Sequence, residues 1–153
     1  MANLLKARSD EIGSLASILG VLIGIVGFSF TWYQLYATER TLRSANTYQI
    51  QSDARTLIEE IYSIDSVKNY IISGEGKPED SIVSYKIWQM LNFYLSVFRQ
   101  EQSKGITSEF ADSFKKDFCL FVDRKSISSL WKIMIENEQI SEDHEEMRGY
   151  WCA

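Results

Sequence analysis

Apolar positions fall into two regimes along this chain. From Ile12 to Thr38 the stretch IGSLASILGVLIGIVGFSFTWYQLYAT contains no charged residue, whereas beyond Thr38 apolar residues recur at helical spacing among charges. At about 1.5 Å rise per residue, roughly 20 residues cross a hydrocarbon core, so the uncharged run is long enough. It closes on Phe28, Phe30, Trp32, Tyr33 and Tyr36, and Trp and Tyr favour the headgroup level. A cleaved signal sequence would instead have a shorter apolar centre followed by small residues. The pattern predicts a short tail over residues 1–11, a transmembrane helix over 12–38 and a helical domain over 39–153.

Within that domain, Leu42, Ala45, Tyr48, Ala54, Leu57, Ile58 and Ile61 repeat near 3.6 and extend the membrane helix to about residue 63. Such a helix can carry a twist or tilt from the domain into the bilayer. A shorter helix over 64–72, capped by Asp65, leads into the turn Ser73-Gly-Glu-Gly-Lys-Pro78. Three more helices follow, at about 79–103, 108–123 and 126–138, the first ended by Gly105 and the second capped by Thr107 or Ser108. From Ser141 the chain reads as a solvated acidic tail. No strand pattern, internal repeat or low-complexity linker occurs. The fold class is all-α: one N-terminal membrane helix and a small cytosolic helical domain, assembled as an oligomer.

Two stripes are ordered. Gly13, Ser17, Gly20, Gly24, Gly27 and Thr31 follow one another at steps of 4, 3, 4, 3 and 4. Small residues let helix backbones approach closely in lipid, so this seam predicts self-association. On the helix at 79–103, apolar side chains cover most of the circumference, which predicts burial on nearly all sides. Through it runs a polar stripe, Tyr85, Gln89, Asn92, Ser96 and Arg99. Its partners are water, a second copy of the helix or a ligand. Amides and an Arg suit a nucleobase edge and a phosphate, which makes Gln89, Asn92, Ser96 and Arg99, with Lys86 and Lys104 nearby, the candidate ligand-binding residues.

Charge narrows the partners. Sixteen Lys and Arg against 21 Asp and Glu leave a net −5, ill suited to double-stranded nucleic acid. Residues 99–132 are mildly positive, with 7 basic and 5 acidic side chains. Lys6 and Arg8 precede the membrane helix; Arg40, Arg43 and, further off, Arg55 follow it. This near-even count leans toward a cytoplasmic C-terminal domain. Cys119 and Cys152, outside any dense disulfide framework, lean the same way, and Cys119 reads as a buried core residue. The lone His144, between Asp143 and Glu145, reads as a solvated surface side chain that titrates slightly upward. Gly74-Glu-Gly76 lacks the third glycine of a dinucleotide loop, the two cysteines lack zinc spacing, and no nucleophile elbow occurs. No enzyme, metal or cofactor is expected.

In length and layout, from ILGVLIGIVGFSFTWYQLY to the closing MRGYWCA, the chain resembles the small membrane-anchored ancillary effectors of type III CRISPR systems. The resemblance implies a tetramer at the bacterial inner membrane. Its cytosolic domain would bind a cyclic oligoadenylate, cyclic tetra-adenylate foremost, and move the membrane helices to open a pore or disturb the bilayer in antiviral defence. The alternative is a non-catalytic single-pass accessory subunit that docks on a larger membrane complex.

Overall fold

The computed structural model describes the backbone of residues 2–77 and 81–153, and the side chains of residues 17, 19–77 and 81–153. It contains α1 (Ala2–Tyr62), α2 (Asp65–Ser73), α3 (Ser81–Gln102), α4 (Ser108–Val122), α5 (Lys125–Glu136) and α6 (Glu142–Trp151). No strand occurs among the described residues. The fold is all-α. Compactness divides the chain into Met1–Leu42 and Arg43–Ala153.

The first unit is helix alone. Every large apolar side chain from Leu19 to Tyr36 is more than half exposed, the opposite of what a water-soluble core helix does with such residues. The helix is long and apolar enough here to cross a membrane. Two of its hydroxyls are satisfied within the helix: Ser29 Oγ donates to the Ile25 carbonyl at 2.8 Å and Thr31 Oγ1 to that of Gly27 at 2.9 Å. Such self-sufficiency is what a hydrocarbon environment requires of polar groups.

In the second unit α3 lies at the centre and touches α2, α4 and α6, while α4 touches α5 and α6. Val83, Ile87, Leu91, Leu95, Val97 and Phe98 form its buried face. Ile50 and Ile61 from the end of α1 join the same core. Phe118 is fully buried and makes ring contacts with Tyr94, Trp131 and Trp151 at 5.3–6.3 Å, so one aromatic residue of α4 joins three neighbouring helices. Burial pushes the Tyr94 hydroxyl up to about 12, with the charge of Asp117 adding to the effect. Contrary to the burial expected of the apolar positions of α3, Ile82 is half exposed; Tyr85, on the polar stripe, is half exposed as well.

Helix ends follow local chemistry. Thr107 caps α4, its Oγ1 accepting from the Phe110 N–H at 3.3 Å. The cap of α2 is Ile64 rather than Asp65, which occupies the first helical position, where a carboxylate favours the helix dipole. Gly74 ends α2 in the left-handed region at φ 71°, its N–H bonded to the Tyr70 carbonyl. At Gly105 the turn after α3 comes too close for a side chain. A Cβ there would collide with Gln100 Oε1 and lie 3.1 Å from Asn46 Nδ2. Asn46 Nδ2 donates to both Gln100 Oε1 and the Gly105 carbonyl at 3.2 Å, tying this turn to α1.

The solvated tail expected after Ser141 is instead α6, packed on α3 and α4. His144, Met147 and Trp151 are its buried residues, at steps of 3 and 4. His144 is not a surface side chain; it is 3% exposed, and its Nδ1 lies 2.9 Å from Ser141 Oγ in a capping box. Burial lowers its pKa, Arg99 lowers it further and Asp143 opposes both, so the upward shift expected from its neighbours is reversed. Cys119 is likewise no lone core thiol. It is bonded to Cys152, with the Cα atoms 5.6 Å apart. Closing a loop of 33 residues contributes about 3–4 kcal/mol by restricting the unfolded chain.

Candidate functional site

The polar stripe of α3 resolves into separate fates. Asn92 Nδ2 donates to the Trp88 carbonyl of its own helix at 2.9 Å, and Ser96 Oγ to that of Phe93 at 2.7 Å. Arg99 is ion-paired with Asp143 of α6. Lys86 pairs with Glu60 of α1 at 2.7 Å. Lys104 is exposed in the turn after α3, at φ 60°. Gln89 and Asn92 line one groove, and Lys86 reaches its rim through Glu60. Ser96, Arg99 and Lys104 do not line that groove. Lys115, from the mildly positive segment, is also engaged. The buried Glu101 carboxylate accepts from Lys115 Nζ at 2.7 Å and from Trp151 Nε1 at 3.0 Å, which links α3, α4 and α6. The hydrogen bond that Lys115 donates to Glu101 is the chief cause of its raised pKa.

Around Gln89 the surface forms a ridge between two grooves. The first, about 390 Å³, is walled by Asp53, Thr56, Leu57 and Glu60 of α1 and by Trp88, Gln89, Asn92 and Phe93 of α3. The second, about 670 Å³, lies between the start of α3 and the end of α5, with Tyr85, Trp88 and Ile133 as its apolar wall. Trp88 is common to both. Its ring stacks on that of Tyr85 at 6.2 Å and 27°, and its Nε1 donates to the Gln139 carbonyl at 3.2 Å. Tyr85 is 54% exposed, with Lys86 Nζ 5.8 Å from its ring centre and Gln89 Nε2 donating to its hydroxyl at 3.3 Å. Gln89 Oε1 is buried and has no partner.

Both aromatic side chains are therefore held in place while leaving apolar surface open. The charged residues lining the first groove are Asp53 and Glu60, and the Lys86 ammonium is already neutralised by Glu60. Glu60 is equally neutralised by Lys86, so Asp53 alone leaves the groove mildly negative, which favours hydrogen-bond donors over polyanions. Tyr85 belongs to the polar stripe legible in the sequence, and Trp88 reads there as core, against which it is packed while half-buried. Its role as a shared wall depends on α1 and α5, which sequence spacing on α3 alone does not locate.

Three glycines of the small-residue seam have open space around them. A Cβ added at Gly20, Gly24 or Gly27 would meet nothing within 4 Å. Ser17 and Thr31 are exposed on the same helix, and Gly13 lies outside the described residues. Among the described residues, no group of three or more His, Cys, Asp or Glu is placed to hold a metal ion. No protein-family model, curated protein or solved structure matches the chain.

Proposed function

We propose that this chain is a single-pass membrane protein whose helical unit docks on another protein through the Tyr85–Trp88 ridge. One observation carries the reading: the exposed Tyr85 ring stacks on the half-buried Trp88 ring, each is hydrogen-bonded, and Trp88 walls two grooves. Tyr and Trp dominate interface hot spots because they bury large areas at little cost in rotamer entropy. A pair already held in place lowers that cost further. The reading corresponds to the accessory subunit, and it differs from a cyclic-oligonucleotide effector in what it asks of the groove. Four phosphates would meet Asp53 and a Glu60–Lys86 pair, with no cation among the residues that line the groove.

The test uses the full chain, cross-linked in its membrane and then purified. Tyr85→Ala should remove a defined, stoichiometric partner while lowering the unfolding free energy by no more than about 1.5 kcal/mol, the worth of its stack on Trp88. Retention of the same partner by this variant overturns the ridge as the docking site. Stabilisation of the wild-type chain by cyclic tetra-adenylate, about 2.7 kcal/mol at 100 times its dissociation constant, would transfer the function to the ligand-gated effector.

A further inference from the structure

Both cysteines of the chain are used in one covalent clasp. Cys119 lies in the last turn of α4, and Cys152 is the residue that ends α6. Cys152 is exposed and Cys119 half-buried, so a small thiol reaches the bond directly from solvent. In a cytosol rich in thiols, an accessible disulfide of this kind is reduced by exchange; in oxidising compartments it persists. The bond adds to the packing that holds α6 on α3 and α4. Helix α6 has ten residues, four of them acidic, and is below the length at which an isolated helix is stable.

We propose that residues 43–153 face an oxidising compartment, with the N-terminal tail on the thiol-rich side of the membrane. This reverses the orientation expected from the sequence. The flanking charges offer little resistance: two basic residues, Lys6 and Arg8, stand on one side against Arg40, Arg43 and Arg55 on the other, a bias too small to set topology firmly. The chemistry balances through exchange with a disulfide-bearing oxidant of that compartment. Each thiol gives up one proton and one electron as the Cys119–Cys152 bond forms, and the oxidant leaves as two thiols.

The full chain is produced in cells stripped of any outer envelope, and its thiols are trapped with acid and N-ethylmaleimide. Mass spectrometry should find no alkylated cysteine before reduction and two after it. In parallel, the sealed cells are treated with a membrane-impermeant amine-reactive ester. Lys77, Lys104, Lys116 and Lys125, all exposed, should be labelled, and Lys6 only after permeabilisation. Two alkylated cysteines without reduction overturn the proposal. So does labelling of Lys6 while the four lysines of the helical unit stay protected, whatever the state of the thiols. Neither readout depends on the Tyr85–Trp88 ridge, so this inference and the docking function fail separately.

Discussion

Gly74 and His144 show how single residues fix the ends of helices here. Gly74 holds φ 71° with only ordinary contact to Ser126 around its missing Cβ, so a substitution there strains the backbone without a clash. Gly74→Ala should cost about 1 kcal/mol, read from the denaturation midpoint of the chain. His144 predicts a pH dependence of definite sign. Its folded pKa lies below the ordinary 6.5, so the unfolded chain binds the proton first as pH falls. The stabilisation it provides is complete above pH 6.5 and is lost as the pH drops through 6.5 toward the lower folded value. Melting temperature should fall between pH 7 and 5, and His144→Asn should flatten that slope; an unchanged slope would show that His144 does not titrate on unfolding. Asp143 and Glu145 beside it in sequence point to a solvated, raised imidazole. Helical geometry turns those neighbours about 100° to either side and sets the Trp131 ring edge-on at 6.5 Å instead. Surroundings made by distant residues are not legible in a local window.

Helices were more legible than their surroundings. The apolar run that ends in Tyr36 and the 3.6 repeat after it predict what proves to be one helix through Tyr62, and the turns at Gly74 and Gly105 fall where glycine is needed. In α6, Glu142, Asp143, Glu145 and Glu146 mask a buried face of three residues, His144, Met147 and Trp151. That 3-and-4 spacing was the signal available. The small-residue seam of α1 permits a clean test of the expected self-association. Gly20→Leu with Gly24→Leu meets nothing within the chain, so the melting of the helical unit should not move. If chains pair through the seam, cross-linked dimers in the membrane should fall several-fold; unchanged cross-linking places any pairing elsewhere.

At the scale of the whole molecule, an exposed apolar helix adjoins a unit whose polar side chains are largely committed to one another. Arg99 with Asp143, Lys86 with Glu60 and Lys115 with Glu101 each join separate helices, so two of the candidate ligand-binding cations, Arg99 and Lys86, are engaged in pairs between helices. Pairing across helices has no signature along the chain. The Cys119–Cys152 bond has a mechanical consequence. Were the helical unit stretched between Arg43 and Ala153, the load would enter at Cys152, cross the sulfur bridge and continue into α4, leaving α5 and α6 slack. With about 3.3–3.6 Å of extension per residue, the 33-residue separation hides roughly 110 Å of contour from the pull. Single-molecule unfolding should therefore lengthen by about that amount when a reductant is added, as α5 and α6 begin to bear tension.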